Sequence, residues 1–238
     1  NASTEDLSRE TFAATPGIQH HPVLGYYLDT FVGYSAEHRM RSASGGLATW
    51  LLETLLKRGE IGGALCVGQD PASPTLFDYR LCRSVEDIRA CAGSCYQPVE
   101  ISRALRQIMA TEGRFAVMAL PCVAKGLRLA MLSNAKLRHR VLFILALVCG
   151  GMKGRQFVEV VSREFIPRSP YPAKIVFRHH SPDIPVADCS FRFEFKDGGA
   201  KLIRFSDGAG WYFCSGGFEL QACTACDDVF AECADAAF

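Results

Sequence analysis

Apolar positions recur along this chain with two different periods. In SGGLATWLLETLLKRGEIGG, residues Leu47, Trp50, Leu51 and Leu55 recur at three- and four-residue spacing. That predicts an amphipathic helix from about Leu47 to Lys57, closed by the glycines that follow. The apolar run from Ala64 to Gly68 then reads as a strand. Ser84 stands before VEDIRACAG with Asp87 three residues on, the grammar of a capping box at the start of another helix. PVEISRALRQIMATEG predicts a further helix, with Pro98 near its start and Gly113 past its end. RFAVMAL and HRVLFILALVCGG read as buried strands stopped by Pro-Cys and Gly-Gly, and GRQFVEVVSREF as one more helix.

Strands alternating with helices of this length predict an α/β fold, a mostly parallel sheet flanked by helices. After Phe165 the texture changes. Prolines crowd IPRSPYPAKIVFRHHSPDIPVADCS, and FRFEFKDGGAKLIRF alternates around Asp197-Gly198-Gly199 as a β-hairpin does. The expected organisation is a polar amino-terminal segment (1–21), an α/β body (22–166) and a smaller β-rich carboxy-terminal lobe (167–238).

Composition adds exclusions. With 238 residues, 49% of them hydrophobic, 21% charged and a net charge of +1, the chain has an ordinary globular balance. No basic field argues for nucleic acid. The longest apolar run, inside RVLFILALVCGGM, is too short to span a bilayer. NASTEDLSRE is polar and acidic, unlike a signal peptide, and the expected location is cytoplasmic. Eleven scattered cysteines do not read as a disulfide framework. Cys66, Cys82 and Cys189 read as small buried hydrophobes.

Four other cysteines carry more. Cys122 in MALPCVAKGL and Cys149 in ALVCGGMKG each follow a buried strand, where ligands of parallel sheets bind. Turns of this kind place backbone N–H groups near the thiols and favour the thiolate. With Cys223 and Cys226 of QACTACDD they make four thiolates from three loops, a set that suits a structural zinc or an iron–sulfur cluster. Both remain open on spacing alone; the scattered layout fits a cluster facing a crevice better than a compact zinc knuckle.

Glycine turns supply a second site. Ser42, Ser44, Gly45 and Gly46 precede a helix and suit a phosphate, or a plain N-cap. Gly93, Ser94 and Tyr96 repeat that grammar before the next helix, with Tyr96 equally suited to core packing. His38, Arg39, Arg41 and Lys125 are either anion partners or surface groups. The pairs His20-His21 and His179-His180 face opposite ways on a strand and read as surface or loop residues. Neither a G-x-G-x-x-G fingerprint nor a P-loop occurs.

In order, HPVLGYY, RSASGGLATWLL, AGSCYQPVEISRALRQI, RFAVMALPCVAKGLRLA, LVCGG and CTACDDVFAECADAAF resemble the coenzyme F420 hydrogenase/dehydrogenase beta-subunit family. That family includes beta subunits of F420-reducing hydrogenase and formate dehydrogenase, and 7-hydroxymethyl chlorophyll a reductase. The resemblance implies an α/β flavoprotein oxidoreductase that passes electrons between a 4Fe-4S cluster, FAD and a small organic partner such as coenzyme F420. It implies Ser44, Gly45, Gly46, Gly93, Ser94 and Tyr96 at the flavin, and Cys122, Cys149, Cys223 and Cys226 on the cluster. Cys95 is a substitute for one of these, and Cys233 a packing residue. A redox partner protein or subunit is expected, and an oligomer is compatible; the alternative is a zinc-stabilised, non-catalytic binding module on the same fold. Relatives carry an amino-terminal ferredoxin-like run of cysteines that this chain lacks, so no second cluster is expected there. They also continue past the Ala-Asp motif, with an acidic residue and a tryptophan soon after, so the carboxy-terminal lobe is expected to be incomplete at Phe238.

Overall fold

A computed structural model of the chain describes residues 3–168, 170–181 and 183–238. It opens with α1 (Thr4–Phe12), whose N-cap Ser3 forms a capping box with Asp6, and the hairpin β1 (Gln19–His21) and β2 (Gly25–Tyr27). The body follows as α2 (Leu47–Lys57), β3 (Gly63–Gln69), β4 (Phe77–Cys82), α3 (Val85–Ala90), α4 (Ser102–Ala110), β5 (Phe115–Ala119), α5 (Pro121–Ser133), α6 (Ala135–Arg140), β6 (Val141–Ala146) and α7 (Arg155–Phe165). Then come β7 (Lys174–His179), β8 (Ser190–Glu194), β9 (Ala200–Arg204), α8 (Gly210–Cys214) and β10 (Ala236–Ala237).

The central sheet runs β10-β6-β5-β3-β4. Its first three pairings are parallel, and β4 closes one edge antiparallel to β3. Phe115, Ala116 and Val117 of β5 have no exposure at all, the continuous apolar run expected of a strand covered on both faces. β4 instead alternates, with Arg80 exposed and Tyr79 buried, as an edge strand does. The mostly parallel α/β fold expected from the sequence is present. Leu7 of α1 joins the same core, so part of the polar amino-terminal segment is packed against the body.

Ser84 and Asp87 form the expected capping box on α3. The helix expected to begin at Pro98 begins instead at Ser102. The reason is local: the Lys153 N–H donates to the Tyr96 carbonyl (2.9 Å), and the Glu100 carboxylate accepts the Ser102 N–H (3.2 Å). Residues 96–101 are thereby tied down before the helix starts.

β7, β8 and β9 make a separate antiparallel sheet in consecutive order. Phe157 of α7 and Phe177, Phe191 and Phe193 of this sheet are fully buried together, with ring centroids 5.8 to 6.5 Å apart for the pairs of Phe157 with Phe177 and Phe191. The chain then returns to the parallel sheet. Ala236 and Ala237 pair with Leu145 and Ala146, and Cys233 is fully buried in the main core, a packing position. Among the described residues no helix is long and apolar enough to cross a membrane.

Candidate functional site

Two cavities lie side by side beyond the carboxyl ends of β3, β5 and β6, of about 300 and 600 Å3. They share a wall that includes Thr49, Gly93, Cys95, Leu120 and Met152. The smaller is apolar. The larger is lined by glycine turns, and Ser44, Gly45, Gly46, Gly93, Ser94 and Tyr96 all stand on its wall.

The first turn is held by its own geometry. Gly46 is the N-cap of α2 at φ +77°, and a Cβ there would sit 2.6 Å from the His38 Cβ. Only glycine meets both conditions. Beneath it, Ser35 Oγ and His38 Nδ1 are 2.7 Å apart, and His38 Nε2 and Glu53 Oε1 are 2.7 Å apart. Arg89 donates to both oxygens of Glu53 (2.7 and 2.9 Å), and Lys57 adds a bond of 3.1 Å. Hydrogen bonds from Arg89, then from His38 and Lys57, hold the Glu53 carboxyl at about 2 in spite of burial. Glu37, His38 and Glu53 are the only three ligand-type side chains converging within 4.8 Å among the described residues. With both Glu53 oxygens taken by cations, the group is an ion-pair network that pins the turn.

His38 is thus buried under the turn and does not line the cavity. Arg39 stacks on Tyr34, 4.4 Å from the ring centroid, and neither it nor Arg41 nor Lys125 reaches either wall. Arg178 of β7 does, as the one basic side chain on either wall among the described residues. His180, expected at the surface or in a loop, places Nε2 3.0 Å from the Ala43 carbonyl and ties the antiparallel sheet to the turn. The Ser42 hydroxyl is buried on the same wall without a hydrogen-bond partner. At Gly93, with φ +133°, a Cβ would point into open space. Tyr96 has two roles: it packs edge-on against Phe177 (5.3 Å) and Phe213 (4.8 Å), and it lines the larger cavity.

Cys122 and Cys223 line the smaller cavity and Cys149 the larger, while Cys226 is exposed beside Cys223 and lines neither. Cys122 sits in the first turn of α5, Cys149 follows β6, and Cys223 and Cys226 bracket a single 3-10 turn. That last turn is docked by the Leu220 N–H on the Met152 carbonyl (3.0 Å) and by buried Lys153, which pairs with Glu219 at 2.7 Å. Docking brings the Met152 N–H to 3.4 Å from Cys223 Sγ. Burial pushes the Cys122 and Cys149 thiols up, against backbone N–H groups that pull them down. The expectation that the turns favour thiolate is therefore corrected for these two: desolvation wins. Electrostatic interaction with Cys149 and Cys226 raises Cys122 further, and with Cys223 and Cys226 raises Cys149. Each sulfur thus lies within electrostatic reach of others in the set. Cys95 is not in that set. Its thiol donates to the Gln97 carbonyl (3.3 Å), and burial pushes it up to about 12. Cys66 and Cys82 are buried, as expected of packing residues, though Cys82 Sγ lies 3.6 Å from Cys91 Sγ; Cys189, expected to be buried with them, is only half-buried.

Gln97 and Arg178 are wall residues that sequence reasoning missed. The alternation of KIVFRH puts Arg178 opposite buried Phe177, but not which face meets a cavity.

Family comparison decides the lineage of this arrangement. The model described as coenzyme F420 hydrogenase/dehydrogenase, beta subunit N-term, matches residues 30–106, and its C terminus counterpart matches residues 112–238. The chain belongs to this family. Coenzyme F420 hydrogenase/dehydrogenase beta subunits are oxidoreductase components. A similar curated protein is a subunit of the F(420)H(2) dehydrogenase of Methanosarcina mazei, 27% identical over 120 residues, or 50% of this chain. The match spans only about a third of that relative's length (33%). In a structure of the F420-reducing [NiFe] hydrogenase complex from Methanosarcina barkeri, one chain has the same fold. Its TM-score is 0.65 at 18% identity, covering 91% of this chain and 72% of that one.

Proposed function

We propose that this chain is an iron–sulfur flavoprotein module. In this reading Cys122, Cys149, Cys223 and Cys226 hold a 4Fe-4S cluster beside FAD, and the FAD lies in the two joined cavities. The carrying observation is that Cys122, Cys149 and Cys223 line two adjoining cavities, with Cys226 beside them, and that the larger cavity is lined by all six glycine-turn residues.

The donor set suits a cluster. One tetrahedral zinc needs its sulfurs about 3.8 Å apart, given Zn–S bonds of about 2.3 Å. Among the described residues no three cysteine sulfurs lie within 4.8 Å of one another. Four thiolates each taking a separate iron accommodate the wider spacing. The cavities suit a dinucleotide. Ser42 offers an unpartnered hydroxyl, Gly93 leaves open space, and the eleven-residue α2 points its N-terminus at the same wall; such a terminus favours phosphate. Arg178 supplies the matching positive charge.

Bound FAD would exchange single electrons with a cluster and electron pairs with an organic molecule. The protein's own work is positioning. The Glu53 network fixes the first glycine turn, the Met152 N–H donates to the Cys223 sulfur, and the smaller cavity offers mostly apolar walls. The organic partner in this reading is a small redox molecule such as coenzyme F420, and the electron donor or acceptor is a partner subunit.

Serine replacement tests it. After anaerobic reconstitution with iron, sulfide and FAD, Cys122→Ser and Cys223→Ser should lose cluster iron and its broad visible absorption but keep FAD. Cys214→Ser, at an exposed position, should keep both. Full iron retention in both site variants would refute the assignment.

A further inference from the structure

We infer that Gln97 reads the imide edge of the flavin ring in the apolar cavity, an inference that rests on the flavin reading above. Gln97 is only 1% exposed and lines the 300 Å3 cavity. Neither Oε1 nor Nε2 has a hydrogen-bond partner in the protein. The other walls of that cavity are mostly apolar, including Val67, Ile88, Val99 and Met118. The Tyr79 hydroxyl is already committed to the Met118 carbonyl (3.2 Å), and burial keeps that phenol protonated.

A buried carboxamide with both ends unpaired is costly, and proteins retain such a group where something else completes it. The placement is prepared by the backbone. The Cys95 thiol donates to the Gln97 carbonyl (3.3 Å), the Tyr96 carbonyl takes the Lys153 N–H (2.9 Å), and Pro98 restricts Gln97 to extended backbone. A carboxamide shows a donor and an acceptor side by side. Its complement is a ring with a carbonyl beside an N–H, as on the pyrimidine edge of an isoalloxazine. The apolar remainder of the cavity suits the rest of a flat tricyclic ring. The glycine-lined neighbour would then take the phosphates.

The experiment compares wild type with Gln97→Leu, titrating each with FAD and with FAD methylated at ring N3, by flavin fluorescence. Wild type should bind FAD about tenfold more tightly than the N3-methyl form, the worth of one or two neutral hydrogen bonds. Gln97→Leu should bind FAD about tenfold more weakly than wild type and should not discriminate between the two. Without ligand, Gln97→Leu should melt a few degrees higher, because an unpaired buried amide has been removed. Equal FAD affinity in both proteins would overturn the inference and leave the flavin reading standing; that is the result if the amide pairs only with water. A lower melting temperature with discrimination retained would make Gln97 structural and also overturn it. No FAD binding to wild type would refute the flavin reading and this inference together.

Discussion

Replacing Glu53 by glutamine removes one buried charge while keeping size and shape. In the folded chain this carboxyl is held at about 2, against an ordinary value of 4.5, chiefly by the two hydrogen bonds from Arg89. A difference of roughly two and a half pH units, at about 1.4 kcal/mol each, amounts to about 3 kcal/mol. Because the folded value lies below the unfolded one, this stability is fully present above pH 4.5 and is lost as pH falls toward 2. Glu53→Gln should therefore cost about 3 kcal/mol at pH 7, roughly 6–12 °C in melting temperature for a chain of this size. Urea unfolding of both proteins at pH 7, 4 and 2.5 measures it. The gap should shrink steeply between the last two. A loss below about 1 kcal/mol at pH 7, or a gap of unchanged size at pH 2.5, would refute the claim that this ion-pair network pins the turn.

Two further substitutions probe the frame around the site. Gly46→Ala forces a side chain onto φ +77° and within 2.6 Å of the His38 Cβ. It should cost about 2 kcal/mol or more in denaturant unfolding, and FAD affinity should fall with it. Phe157→Ala empties the centre of the aromatic core shared by α7 and the antiparallel sheet; the expected loss is about 3–5 kcal/mol, read by the same unfolding assay.

Much of the fold is legible in the sequence because period and punctuation agree. Leu47 to Lys57 is helical to the residue, since Gly46 and the Arg58-Gly59 pair mark both ends. β5 is legible for the same reason, but the edges of β6 are not: His139 and Arg140 close α6, and the strand ends at Ala146, short of the Gly-Gly expected to stop it. β4 is not, because FDYRLC is short and its alternation makes sense only once β3 lies beside it. The start of α4 is hidden because Pro98 is a good opening residue locally, and the tie from Lys153 to Tyr96 that delays the helix is long-range. For the site, the thiols and glycine turns announce themselves by residue type and position. Gln97 and Arg178 do not. A glutamine after a tyrosine and an arginine in a strand are ordinary until their walls are assembled from distant segments.

The most direct test of the account is the cofactor content of the wild-type chain after anaerobic reconstitution. Iron, sulfide, zinc and released flavin should be measured together. The account predicts about four iron and four sulfide per chain, with about one flavin that is released as FAD. Stoichiometric zinc without iron, or iron without any bound flavin, would contradict it.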